Sequence, residues 1–128
     1  MPEFFSLVLV AAGGVAGGIS RYAISGFVAR RIGETFPWGT LAVNASGALV
    51  IGLLAAWLGA HAAGSSLWIA AAVGVLGSYT TVSSFSLQTL ALARDGEWLL
   101  VVQNILVSLA LCLGAAFAGL VAGAVLWG

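Results

Sequence analysis

Six serine and threonine residues lie within nine positions in the middle of an apolar segment, which is a high density of polar groups for a membrane span. They follow Gly74 and Gly77, and the apolar segment runs from Leu67 to Ala93. The six are Ser78, Thr80, Thr81, Ser83, Ser84 and Ser86. Hydrocarbon contains no water, so polar groups there are costly unless the protein itself satisfies them. We expect a broken helix whose freed carbonyl groups bind a cation and whose hydroxyls line a wet path.

The spacing of Gly77 and Thr80 allows two interpretations. In the first, the glycine before the threonine pair marks an unwound turn whose carbonyl oxygens bind a hard cation such as Na⁺. In the second, the glycine is an ordinary packing contact, and the threonines hydrogen-bond to carbonyl groups of their own helix. The two residues alone leave both interpretations open.

A row of polar side chains follows Gly77 and Thr80 along the chain. Thr81, Ser84 and Gln88 are spaced i, i+3, i+7 and share one helix face, with Ser83 and Phe85 beside them. This row predicts either a ladder of donors and acceptors along a pore or a set of hydrogen bonds between helices, which serine and threonine commonly form in membranes.

Polar residues in two earlier spans extend the candidate path. Asn44 shares a face with Thr40 and Gly47, and its amide either donates to a passing anion or bonds a neighbouring helix. Arg21 is the only charged residue well inside a predicted span, and such residues are candidates for function. It either attracts anions at an aqueous vestibule or extends its long side chain to the membrane interface.

The composition indicates an integral membrane protein with an all-α fold. Of the 128 residues, 62% are hydrophobic and 6% are charged, whereas a typical soluble domain has about 25% charged residues. A spanning helix needs about 20 apolar residues, so four helices account for nearly the whole chain. We predict them at about residues 4–29, 37–58, 67–93 and 98–127, in a single membrane domain that covers 1–128.

The residues of several other function classes are missing from the sequence. Four arginines balance four acids and there is no lysine, so no basic patch is available for nucleic acid. No nucleophile–base pair, metal-ligand cluster or phosphate loop is found, which argues against an enzyme. Cys112 is interpreted as a small core residue and His61 as a loop residue. A small four-helix multidrug exporter would need an acid at membrane depth, and all four acids lie outside the predicted spans.

The arginines suggest an orientation in the membrane. Arg30, Arg31 and Arg94 lie in the loops after the first and third predicted helices, whereas the second loop and both termini contain no lysine or arginine. The positive-inside rule therefore favours those two loops in the cytoplasm and both termini outside.

Three motifs, in this order and spacing, resemble the Fluc (CrcB-type) fluoride channels. The first helix contains Gly17-Gly18 followed by Ser-Arg-Tyr ending at Tyr22, and W-G-T-L-x-V-N runs from Trp38 to Asn44. The third motif, G-x-x-G-x-x-T-T-x-S-x-F-S, runs from Gly74 to Ser86. The resemblance covers essentially the whole chain.

This resemblance implies a dimer of four-helix subunits inserted antiparallel, with a fluoride pore on each side of their interface. It also implies a structural Na⁺ at the dimer centre, which is not transported and is held by the backbone carbonyls of Gly77 and Thr80 from both subunits. The pore positions implied by the resemblance are Arg21 at the vestibule, Thr40, Asn44, Ser83, Ser84 and Phe85. Asn104 and Ser108, on one face of the fourth helix, are added as candidate pore residues.

The chain departs from the family pattern at three positions. Val82 stands where the motif has a first phenylalanine, Gln88 where a glutamate is usual, and Asn104 where several members have a tyrosine. An aromatic edge carries partial positive charge and can face an anion, and valine has no such edge. Three interpretations stay open: the pore conducts at an altered rate, the chain is one half of a heterodimer in which one pore has decayed, or the pore prefers another anion.

We therefore expect a multi-pass channel of the inner cell membrane that exports fluoride passively and so lowers its toxicity in the cytoplasm. The expected partners are fluoride, the bilayer and a second subunit, either identical or an oppositely inserted homologue. The alternatives are a non-conducting or half-active subunit of a heterodimeric channel and, less favoured, a small multidrug exporter.

Overall fold

The computed structural model describes residues 2–59 and 65–127, and all regular secondary structure in these ranges is helical. Four helical segments are long and apolar enough to cross a membrane. Their bounds are α1, Pro2–Ile32; α2, Trp38–Leu58; a composite third span, Ser66–Arg94; and α6, Trp98–Trp127. The four predicted spans are thus confirmed, although the first extends beyond residue 29. His61 lies outside the described residues.

The composite third span contains the predicted break. It consists of α3 (Ser66–Trp68), a π-helical segment (Ile69–Leu76), α4 (Gly77–Tyr79) and α5 (Ser83–Arg94). Residues 80–82 are not helical, and Thr80 has an extended conformation with φ −82° and ψ 156°. Gly77 itself is still helical, with φ −61° and ψ −34°, so the interruption follows it. The break expected near residues 77–82 is confirmed.

The end of α1 follows from its local sequence. Arg30 and Arg31 occupy the last turn, where positive charge interacts favourably with the helix dipole. Gly33 then takes a φ of +108°, a left-handed conformation that side chains disfavour and that commonly terminates helices. A short connection leads to Pro37, whose ring is compatible with the start of α2. Arg21 consequently lies deep within α1, well before its last turn.

Glycines set the packing of α1 against the third span. A Cβ atom on Gly13 would lie 2.7 Å from the Ala70 carbonyl oxygen, and one on Gly17 would overlap the Val75 carbonyl. Small residues of this kind let membrane helices approach closely. Residues later in α1 therefore meet residues later in the third span, so the two segments run parallel.

The helices α2 and α6 form a second parallel pair. Gly52 packs against the Ala116 carbonyl and Gly123 against the Ala56 side chain. At the shared carboxyl end, the ring centroids of Trp57 and Trp127 are 6.2 Å apart. Tryptophan concentrates at membrane–water interfaces, so this pair indicates one boundary of the spanning region.

Candidate functional site

The backbone of Thr81, within the break, is held by one side chain of α2. The amide nitrogen of Asn44 donates to the Thr81 carbonyl at 2.8 Å, and the Thr81 N–H donates to Asn44 Oδ1 at 2.7 Å. One asparagine thereby replaces both backbone partners that the interrupted helix fails to provide for this residue. Buried backbone groups without partners are costly, so Asn44 stabilises the broken conformation.

Two backbone donors are diverted from the carbonyls that would normally receive them. In a continuous α-helix the N–H of residue i donates to the carbonyl of residue i−4. The Thr81 N–H, the regular donor to Gly77, goes to Asn44 instead. The Ser84 N–H, the regular donor to Thr80, goes to Thr81 Oγ1 at 3.1 Å. The carbonyls of Gly77 and Thr80 therefore both lose their regular helical donors.

Other residues of α2 surround the same break. Gly47 is buried, and a Cβ atom there would overlap the Thr80 methyl group and lie 3.2 Å from the Tyr79 ring. The Ser46 hydroxyl is 2.9 Å from the Tyr79 hydroxyl. Because Gly47 has no side chain, Thr80 and Tyr79 can pack directly against α2 at the break.

A polar cavity of about 220 Å³ lies between α1, α2 and the break. Arg21 and Ser25 line it from α1, Thr40 from α2, and Thr81 and Ser84 from the third span. The lining of this cavity includes the positively charged side chain of Arg21 and several hydroxyl groups, and it includes no carboxylate. The cavity can accommodate a small anion or water.

A second cavity, of about 410 Å³, adjoins the first. Ser25, Thr40 and Ser84 line both, and the larger one continues past Gln88 towards Glu34 and Asp95 at the ends of α1 and α5. A hydroxyl-lined route therefore leads from the break to one boundary of the spanning region, with two carboxylates at its outer end.

These cavities bring together some of the predicted pore residues. Arg21, Thr40, Ser84 and Gln88 line one or both of them. The Thr40 residue is only 6% exposed, so its hydroxyl belongs to the interior of the subunit.

The other predicted pore residues lie elsewhere in the subunit. Asn44 holds Thr81, the Ser83 hydroxyl is 3.2 Å from Thr81 Oγ1, and Phe85 is partly buried. Val82 is 77% exposed at the surface of the break. These residues line neither cavity, and their place in a pore remains a prediction.

On the fourth span, Asn104 is directed into the subunit. It is 1% exposed, its amide nitrogen donates to Thr89 Oγ1 at 2.9 Å, and its Oδ1 accepts from the Ser108 hydroxyl at 3.3 Å. Both ends of the amide are therefore engaged between α5 and α6, and neither Asn104 nor Ser108 lines a cavity.

The break is chemically suited to a monovalent hard cation. Its two freed carbonyls, of Gly77 and Thr80, are neutral oxygen donors of the kind that unwound membrane helices offer to Na⁺. Gly77 is exposed on the subunit surface, and a Cβ atom there would meet only the Ala72 oxygen at 3.8 Å. Among the described residues there is no cluster of His, Cys, Asp or Glu that could hold a metal, so a transition-metal site is not indicated there.

The sequence matches the family described as CrcB-like protein, Camphor Resistance (CrcB), over residues 8–120. The chain belongs to this CrcB family. A curated relative from Rhodopseudomonas palustris (strain BisB18), named Fluoride-specific ion channel FluC 2, is 55% identical over 94% of this chain and 94% of its own length. A relative of the same name from Bradyrhizobium diazoefficiens is 51% identical, over 88% of this chain and 85% of its own. One from Rhodospirillum rubrum, named Fluoride-specific ion channel FluC, is 46% identical.

Membership of the CrcB family confirms the resemblance noted in the sequence and the prediction that the chain is not an enzyme, since the named relatives are channels. Together with the four membrane-spanning segments, it establishes a multi-pass membrane protein.

Sequence reasoning missed Ser25 and Thr89, and it missed a second role of Thr81. Ser25, which lines both cavities, follows Gly18 and Arg21 at i+7 and i+4, so its helical spacing could have identified it. Thr81 was expected in a ladder of pore hydroxyls, but its side chain also caps α5 through the Ser84 N–H. No local signal identified Thr89 as a partner of the fourth span.

Proposed function

We propose that this chain is a fluoride-specific channel of the inner cell membrane that lets fluoride leave the cytoplasm passively. Relatives at about half identity over almost the full chain carry that name. The observation that carries the proposal is the pair of adjoining cavities, because the hydroxyl-bearing residues Ser25, Thr40 and Ser84 line both of them.

The chemistry of these hydroxyls suits fluoride, which is small and strongly hydrated. Conduction requires groups that replace water well enough for the ion to enter but weakly enough for it to leave. Neutral hydroxyls from Thr40, Ser83 and Ser84 meet this condition better than a ring of cations. Arg21, in the smaller cavity, raises the local anion concentration through its charge. Asn44 has a second N–H beyond the one that binds Thr81, and Phe85 offers a ring edge.

Sodium is the proposed structural ion, held by the carbonyls of Gly77 and Thr80. The diversion of their regular helical donors to Asn44 and Thr81 supports this assignment. When bound, the ion supplies a fixed positive charge beside the path and links the two subunits that share it. The exposure of Gly77 on the subunit surface is compatible with a site shared between two copies inserted antiparallel.

A second candidate is a subunit of a heterodimeric channel, in which this chain contributes to only one conducting pore. Val82 supports it, because this highly exposed residue lacks the aromatic edge of the family motif. The one-sided arginines favour a fixed orientation, which an oppositely inserted homologue would complement.

The test is fluoride and chloride efflux from liposomes that contain this chain alone. We expect fluoride efflux to exceed chloride efflux strongly. Thr40→Val and Ser84→Ala should each slow fluoride by about tenfold or more, because a hydrogen bond to a charged group is worth roughly 1.5–3 kcal/mol. Ser6→Ala, which removes a hydroxyl from α1 outside both cavities, is the matched control. Absence of efflux from the unsubstituted chain alone would favour the heterodimeric subunit, and equal rates for both anions would refute fluoride specificity.

A further inference from the structure

The half-helix α5 carries Ser84 and Phe85 but is weakly anchored within the subunit. None of its residues, Ser83–Arg94, is buried. Helices in a bilayer gain no hydrophobic driving force from contact with one another, so packing and interhelical hydrogen bonds must hold them. The position of α5 therefore depends on the few specific contacts that it makes.

One such contact is a chain of hydrogen bonds from α6 to the backbone of α5. Asn104 is 1% exposed, and its amide nitrogen donates to Thr89 Oγ1 at 2.9 Å. The Thr89 hydroxyl in turn donates to the Phe85 carbonyl at 2.7 Å. Ser108 orients the amide by donating to Asn104 Oδ1 at 3.3 Å. A hydroxyl both accepts and donates, so Thr89 transmits the contact from Asn104 to the turn that begins at Phe85.

Within residues 2–59 and 65–127, this is the only side-chain hydrogen bond that joins α5 to α6. The Thr81 hydroxyl caps the first turn of α5, whereas Asn104 holds the next turn through Thr89. The cap holds the first turn of α5, and the bond to Thr89 adds a second attachment five residues further along the same helix.

We propose that Asn104 and Thr89 form a clamp that sets the position of α5 and thereby of Ser84, which lines both cavities of the proposed ion path. The two are positioning residues, and the proposal rests on the proposed function for its consequence in fluoride flux. The clamp also explains why an asparagine fits at position 104. A short amide fits a site that is 99% buried, whereas a tyrosine ring there would have to displace its neighbours or leave the site.

Matched substitutions separate the hydrogen bond from side-chain volume. Thr89→Val keeps the shape and removes the hydroxyl, and Thr89→Ser keeps the hydroxyl. On α6, Asn104→Leu removes the buried amide, whereas Gln103→Leu removes the same chemical group from an exposed neighbour. The first readout is amide hydrogen exchange of residues 83–94 in lipid nanodiscs, which reports local opening without requiring conduction. The second is fluoride efflux from liposomes.

We expect Thr89→Val and Asn104→Leu to accelerate exchange in α5 by about 3-fold and at most about 20-fold, the range that corresponds to measured interhelical hydrogen bonds in membranes. Both should also slow fluoride efflux, and the double variant should be no worse than the worse single one because all three lose the same bond. Thr89→Ser and Gln103→Leu should resemble the unsubstituted chain in both readouts.

Unchanged exchange in Thr89→Val would overturn the clamp, as would equal effects of Thr89→Val and Thr89→Ser. Faster exchange with unchanged fluoride efflux would overturn its positioning role on the path. If the unsubstituted chain conducts no fluoride, the proposed function fails, and the exchange comparison still decides whether the clamp exists.

Discussion

Replacing Asn44 by aspartate should disrupt the break with almost no change in side-chain volume. Aspartate retains an oxygen that can accept from the Thr81 N–H, as Asn44 Oδ1 does at 2.7 Å. It loses the N–H that donates to the Thr81 carbonyl at 2.8 Å, and when ionised it places a carboxylate against that carbonyl. The substitution therefore removes one hydrogen bond and replaces it with repulsion.

The size of the effect follows from the group left without a partner. A buried acceptor deprived of its hydrogen bond costs about 1–3 kcal/mol, which corresponds to a fall of roughly 5- to 150-fold in the equilibrium constant that favours the broken conformation. The added charge also repels an approaching anion. Fluoride efflux in Asn44→Asp should therefore fall several-fold, by conformational loss of up to this factor and by repulsion of the anion. Efflux in Asn44→Ala, which removes both bonds without adding charge, should also fall several-fold.

The assay is fluoride efflux from liposomes, followed with a fluoride electrode at equal amounts of reconstituted protein. Ser46→Ala is the matched control on the same helix, because Ser46 is exposed and bonds only the Tyr79 hydroxyl and the Val43 carbonyl. It should change efflux less than about threefold, as expected for a surface contact. Undiminished fluoride efflux in both Asn44 variants would refute the reasoning, since neither the break nor the path could then depend on this amide.

Three further variants test other parts of the site in the same assay. Gly47→Ala should abolish or strongly slow efflux, because its Cβ would overlap the Thr80 methyl group; normal efflux would show that the break tolerates a shift of α2. Val82→Phe should raise fluoride throughput if the missing ring limits it, and an unchanged or lower rate would contradict that explanation. The double variant Glu34→Gln, Asp95→Asn removes two carboxylates from the lining of the larger cavity and so lowers their repulsion of fluoride. It should speed efflux at low ionic strength and much less at about 1 M salt, because salt screens that repulsion. Equal effects at both salt concentrations would rule out an electrostatic cause.

Much of the fold follows from local sequence. Four long apolar segments separated by short polar connections predict four spans, because each needs only enough apolar residues to cross the bilayer. The break was predictable for a related reason, since the glycines and hydroxyls between Gly74 and Ser86 are a poor composition for a continuous lipid-facing helix. The π-helical segment Ile69–Leu76 was not predicted, because its apolar residues contain no signal that distinguishes a wide helix from a regular one.

The candidate site was only partly predictable because its key contacts are long-range. Asn44 and Thr81 are separated by 37 residues, and periodicity within α2 indicates a polar face without indicating which backbone atoms meet it. The place of Asn104 along the pore stays a prediction, and its hydrogen bonds with Thr89 and Ser108 inside the subunit had no local signal in the sequence. Local spacing specifies which residues share a helix face, but the packing of glycine-rich faces decides what each face contacts.

We propose that one interrupted span supplies both cation-binding carbonyls and the hydroxyl-lined route for fluoride. The most direct test is fluoride and chloride efflux from liposomes containing the purified chain, with Na⁺ or a large organic cation as the only cation on both sides. We expect rapid fluoride efflux in Na⁺, much slower fluoride efflux in the organic cation, and slow chloride efflux in both. Fluoride efflux that is indifferent to the cation, or chloride efflux as fast as that of fluoride, would contradict it.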